Sequence, residues 1–166
     1  MTTTFFIDTN GTYRGGFSGP HGVDTSSWTA VPERPSPGHT WSGTSWTSTK
    51  SSLKDHLADY RWQKETGGIT FGGLPVRTDD RSKMLLSAVQ QEIATLSDPT
   101  HTRVVKTTAG FVTLTDSQLS ALYTAVISHV QKCFDCEQSL ISSIDSSTLT
   151  TTQEVEAAFD AAYAAA

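Results

Sequence analysis

From Asp116 to Ile144 the chain runs without a glycine or a proline, and its apolar positions recur at helical spacing: Leu119, Leu122, Tyr123, Val126, Ile127, Val130, Cys133, Phe134, Leu140, Ile141 and Ile144. At a rise of about 1.5 Å per residue this helix extends roughly 40 Å. A helix of that length with a continuous apolar stripe has to cover it with other helices, of its own chain or of a symmetry mate. A helical packing unit on the C-terminal side is therefore required. The positions expected at the interface with a neighbouring copy are Leu119, Val126, Val130, Phe134, Leu140 and Ile144, and a homo-oligomer is expected.

The rest of the chain is punctuated differently. FFID and TYRGGF flank Asn10-Gly11, a strong short hairpin signal. Pro32, Pro35 and Pro37 then remove backbone donors and favour an extended, polyproline-like strip. Trp41 and Trp46 bracket a Ser-Gly-Thr-Ser turn, so a second hairpin brings the two indoles near each other. Leu53, Leu57 and Tyr60 keep helical spacing from Ser51 to about Lys64, with Thr49, Ser51 or Ser52 to cap the start and Gly67-Gly68 to stop it. ITFGGLPV reads as a hairpin turning at Gly72-Gly73. Asp79 or Asp80 caps a helix whose buried face is expected to carry Leu85, Val89, Ile93 and Leu96, and Asp98-Pro99 ends it. RVVKTTAGFVTLT gives two strands about Ala109-Gly110, and Asp116 stands where the N-cap of the long helix belongs. An Ala-rich helix with Val155, Phe159 and Tyr163 on one side closes the chain.

These elements imply an α+β fold, short antiparallel β-hairpins with a small helical bundle dominated by one long C-terminal helix, preceded by an extended β arm. Residues 1–48 form the Gly/Pro/Trp-rich arm, expected to have little core of its own, and residues 49–166 the helical-bundle domain. A chain of 166 residues with 36% hydrophobic content supports a modest core and not two full ones. With 12 basic against 17 acidic side chains the net charge is −5, which argues against a general binder of phosphate backbones. No apolar run approaches the roughly 20 residues that span a bilayer, and MTTTFFIDTNG lacks the layout of a signal peptide. Synthesis in a cytoplasm is the expectation, with no membrane and no nucleic-acid partner.

Candidate chemistry is sparse. His129, Cys133 and Cys136 lie on neighbouring turns of one helix face; two packed, reduced cysteines are the reading preferred over metal ligation, which would need a fourth ligand such as His101 from elsewhere. The Cys-X-X-Cys pair falls mid-helix, away from the helix N-terminus that a redox motif uses to lower its thiol pKa. Glu137 interrupts the apolar stripe, so either it reaches a cation such as Arg61 or Arg77, the favoured reading, or the helix face is solvated there. Trp41 and Trp46 offer either burial or a stacking platform for a sugar ring. No phosphate loop, HExxH or GxSxG string occurs. The expectation is no catalytic residue, no cofactor and no resident metal.

Three strings, RWQKETGGITFGGLPVRTDDRSKMLL, TTAGFVTLTDSQLSAL and AVISHVQKCFDCEQSLISSI, resemble an uncharacterised domain family common in tail proteins of tailed bacteriophages. Trp62, Glu65, Gly67, Gly68, Gly73, Thr78, Asp79, Ser82, Gly110, Phe111, Leu114, His129, Val130, Gln131, Phe134 and Glu137 carry the resemblance, over roughly residues 61–145. The N-terminal part resembles tail-fibre assembly and adaptor proteins. The resemblance implies a structural protein of the virion tail, an adaptor or hinge joining tail fibre to baseplate, with those proteins as partners. An assembly chaperone for the fibre, and a glycan-binding receptor module on the tail, are the alternatives.

Overall fold

Thr9 and Asn10 turn the first hairpin, the Gly11 N–H donating to Asp8 O at 2.9 Å, with Gly11 left-handed at φ 78° just after them. Strand β1 (Thr3–Ile7) pairs antiparallel with β2 (Tyr13–Ser18), and a register shift between Phe6 and Ile7 places a bulge opposite them. Strand β3 (Thr29–Val31) adds to the other edge of β1, giving the order β2-β1-β3. A computed structural model supplies this architecture and describes residues 2–96, 98 and 100–166. Met1, Ser97 and Pro99, the proline expected to end the second helix, lie outside the described residues. The chain is mixed α+β, 48% helix and 23% strand.

Strands β4 (His39–Trp41) and β5 (Trp46–Ser48) form the tryptophan hairpin, with Trp41 directly opposite Trp46. Helix α1 (Lys50–Thr66) follows, capped by Thr49, whose Oγ1 accepts the Ser52 N–H at 3.1 Å. Strands β6 (Ile69–Phe71) and β7 (Leu74–Val76) pair across Gly72 and Gly73, with φ of 55° and 80°, the two left-handed positions of a type I′ turn. Helix α2 (Asp80–Leu96) is capped by Asp79, which accepts the Ser82 N–H at 2.9 Å. Strands β8 (Thr102–Thr107) and β9 (Gly110–Thr115) pair next, turning at Thr108-Ala109, one residue earlier than expected. Helix α3 spans Asp116–Asp145 and helix α4 spans Thr152–Ala165.

The N-cap of α3 is a correction. Thr115 caps it, with Oγ1 accepting the Gln118 N–H at 3.2 Å while Gln118 Oε1 accepts the Thr115 N–H at 2.9 Å, a reciprocal capping box. Asp116 turns inward instead and binds Arg103 at 2.8 Å and His101 at 3.3 Å. A similar box, Thr151 with Glu154, opens α4.

The polypeptide divides into two compact units, each assembled from separated stretches. The first comprises residues 1–57 and 141–157. Its buried apolar side chains are Ile7, Val31, Leu53, Leu57, Ile144 and Val155. Phe6, Phe17 and Trp28 cluster on its three-stranded sheet at centroid distances of 6.0 to 6.3 Å. Lys54 bridges to Asp145 at 2.7 Å, and His56 reaches Glu156 at 2.9 Å.

The second unit comprises residues 58–140 and 158–166. Leu114, Leu119, Leu122 and Val126 form its core, and Phe71, Leu74, Leu86, Val89, Ile93 and Val112 pack against them. The face of α2 is thus rotated from the expected one: Leu86 takes the inward position, while Leu85 and Leu96 are more than half exposed. Four of the six positions expected at an oligomer interface, Leu119, Val126, Leu140 and Ile144, are buried within the chain's own units. Val130 is half-buried and Phe134 is 44% exposed. Other segments of the same chain cover most of the stripe, so those four residues serve as core.

Candidate functional site

Two features of the second unit stand out from its core, a buried polar junction at the end of α1 and an apolar groove. The junction begins with a helix end that needs partners, because the last carbonyls of α1 have none within the helix. His129, buried on α3, supplies one donor: its Nε2 lies 3.2 Å from both Lys64 O and Glu65 O. Facing two carbonyls, Nε2 carries the proton, so Nδ1 accepts from the Tyr163 hydroxyl at 2.6 Å. Burial pushes the Tyr163 phenol above its ordinary pKa.

Thr78, fully buried, supplies the second donor. Its hydroxyl donates to Glu65 O and accepts the Gly68 N–H at 2.9 Å. Gly68 is fixed as glycine twice over, by a φ of 93° and by Val76 O, which would lie 2.8 Å from any Cβ.

The Glu65 side chain turns back into the same junction. It takes Arg61 on one oxygen and Lys83 on the other, and Arg61 Nε also binds Glu137 at 2.9 Å while its guanidinium lies 4.5 Å from the Phe134 ring centre. Burial opposes the charge of Lys83, but hydrogen bonds to Glu65 and Asp80 hold its pKa above the ordinary value. Three carboxylates, Glu65, Glu137 and the exposed Asp80, meet the two cations Arg61 and Lys83 here, so each charge has an opposite beside it. Such an arrangement ties a helix end to its neighbours. Glu137 finds Arg61, one of the two partners its position in the stripe called for.

The cysteines fall beside this network without joining it. Cys133 Sγ lies 3.9 Å from His129 Nδ1, a packing contact, and both thiols are free and buried. Burial pushes the Cys133 thiol up to about 11 and raises Cys136 as well, so neither offers a thiolate at neutral pH. His101 pairs with Asp116. Among the described residues no group of three His, Cys, Asp or Glu side chains is placed to hold a metal ion.

The groove encloses about 380 Å³. Its floor is the outer side of the core, including Leu74, Val76, Val89 and Leu122, and its rim carries Leu85, Val104, Arg77 and Lys106. Strand alternation explains the rim: Val105, Val112 and Leu114 face inward, which puts Val104 and Phe111 outward at 70% and 73% exposure. Met84 and Leu85 of α2 are exposed at 65% and 56%. Large apolar side chains left in water beside an apolar opening mark a surface built for contact. Sequence periodicity hid this surface, since Leu85 fits an inward helical position as well as Leu86 does.

Trp41 and Trp46 lie in the first unit, 5.2 Å apart between ring centres and inclined at 70°. They meet edge to face, so they do not form one flat platform.

The chain belongs to a family described as a domain of unknown function, DUF4376, whose model matches residues 48–163. No curated protein and no solved structure matches it.

Proposed function

We propose that this DUF4376 chain is a non-catalytic, protein-binding component of a tailed-bacteriophage tail, an adaptor between tail fibre and baseplate, and that it docks through the apolar groove of its second unit. The observation that carries the binding part is the exposure of Leu85 and Val104, both lining that groove. Burying them removes apolar surface from water at about 25 cal/mol per Å². The occupant is a segment of the neighbouring tail protein that presents apolar side chains flanked by carboxylates. Charge complementarity selects it: Arg77 and Lys106 line the groove, whereas the acidic neighbours Asp80, Glu92 and Asp116 are engaged by Lys83 and Arg103.

Support for the tail context comes from the resemblance of the three sequence strings to tail-associated proteins. Support for binding over catalysis comes from the junction, where each charged group meets its opposite, and from thiols held in their protonated form. Mass spectrometry of purified particles, comparing wild type with the double variant Leu85→Asp, Val104→Asp, tests both parts. The expected result is a fixed copy number in wild-type particles and loss of the variant from them, with an unchanged melting temperature of the isolated protein. Absence of the wild-type chain from mature particles removes the adaptor reading and favours the assembly chaperone. Full incorporation of the variant removes the groove.

A further inference from the structure

In the first unit, the turn of the opening hairpin and the tryptophan hairpin enclose a cleft of about 350 Å³ lined by Asn10, Thr12, Tyr13, Arg34, Trp41 and Trp46, together with His39 and Thr40. Three aromatic rings set its shape. Trp46 is pinned at the centre: its Nε1–H donates to Pro32 O at 2.9 Å, and its ring meets Tyr13 at 82° with centroids 5.7 Å apart. Trp41 stands against it at 70°, so the two indoles make a floor and a wall. Trp41 Nε1 has no hydrogen-bond partner among the described residues, and neither do the Asn10 side-chain amide and the Thr12, Tyr13 and Thr40 hydroxyls. A small opening with aromatic walls thus carries a rim of uncommitted donors and acceptors.

The charge of the cleft has one sign. Arg34 commits Nε to His39 O at 2.8 Å and Nη2 to Pro37 O, which leaves the Nη1 donors available, and its guanidinium lies 5.6 Å from the Tyr13 ring centre. His39 is held by Ser36 and Ser48 through its two ring nitrogens. No Asp or Glu lines the cleft, in a chain whose net charge is −5. Asp8, close in sequence, is occupied by Arg14 and by the Asn10 and Thr12 N–H groups.

We infer that this cleft is a binding site for an acidic oligosaccharide. A pyranose ring presents a face of C–H groups and a rim of hydroxyls, which Trp41 and the Asn10 and Thr12 side chains respectively match. A carboxylate on the sugar is the group that Arg34 selects. The site lies in the first unit and is independent of the groove, so the two readings fail separately.

The chain's four tryptophans allow a test on the unmodified protein. Indole N–H resonances of the full chain are followed by NMR while trigalacturonate and sialyllactose are added as acidic probes and maltotriose as the neutral one. The Trp41 and Trp46 signals are expected to move with at least one acidic probe, while Trp28 and Trp62 stay in place. Asn10→Ala is expected to weaken this binding several-fold with unchanged melting, because only the backbone N–H of Asn10 takes part in the turn. Trp41→Ala weakens it by roughly tenfold or more. No movement with either acidic probe at about 10 mM, where even a millimolar site is largely filled, overturns the inference. An equal response to maltotriose overturns the carboxylate and with it the role of Arg34.

Discussion

Thr78→Val tests the junction most directly, since it preserves the shape of a fully buried side chain and removes only its hydroxyl. Two backbone groups use that hydroxyl, Glu65 O and the Gly68 N–H. The first keeps a donor after the substitution, because His129 Nε2 remains 3.2 Å away. The second loses its only partner, at a residue held in the left-handed region and pressed against Val76 O. An unsatisfied buried donor costs about 1–3 kcal/mol, and the lower half of that range applies because Gly68 is only half-buried. With a urea dependence of about 1–3 kcal/mol per molar, the unfolding midpoint falls by roughly 1 M at unchanged slope. Far-UV circular dichroism in urea reads this, with Thr78→Ser as the control that keeps the hydroxyl and loses the methyl. If the valine variant matches wild type and the serine variant is the weaker one, packing of the methyl group holds the junction and the hydrogen-bond argument is wrong.

Three further outcomes are expected. The Arg103 guanidinium holds the Asp116 carboxyl below its ordinary pKa, so the stability it contributes is present above about pH 4 and is lost as the pH falls through the depressed folded value. Thermal melts of wild type and Asp116→Asn should therefore converge as the pH is lowered below about 4, and a constant gap would refute this. Both cysteines should stay silent to Ellman's reagent in the native protein at pH 8 and react fully once unfolded; rapid native labelling would contradict their burial. Phe159→Ala removes a fully buried ring that meets Tyr60 edge-on at 5.5 Å, and a loss of about 3–5 kcal/mol is expected in denaturant titrations.

The turns and caps were legible because each depends on a few neighbouring residues. Asn10-Gly11, Gly72-Gly73, Thr49 and Asp79 act where their local chemistry places them. Asp116 shows where local reading stops. As a cap it competes with Thr115, and it loses because Arg103, thirteen residues earlier in the chain, draws its carboxylate inward. Of the residues that carry the family resemblance, Glu65, Gly68, Thr78, His129 and Glu137 meet at one junction. Their types suggested polar partners, and Arg61 was among those named for Glu137. Lys83 carries no sequence signal, since an exposed lysine looks the same in one dimension, and for Tyr163 the helical spacing gives the packed side but not its His129 partner.

By itself the sequence determined the α+β class, the order of hairpins and helices, and the length of the helix that begins after Thr115, because periodicity, turn residues and caps act over a few positions. Tertiary structure decided which stripe becomes core and which becomes surface. The apolar face of the long helix is mostly covered by the chain's own segments, and the apolar excess emerges instead at Leu85, Val104 and Phe111. Burial is a property of what lies opposite a residue in space, and a pattern of 3.6 or 2 residues states only that some face is to be covered, never by what.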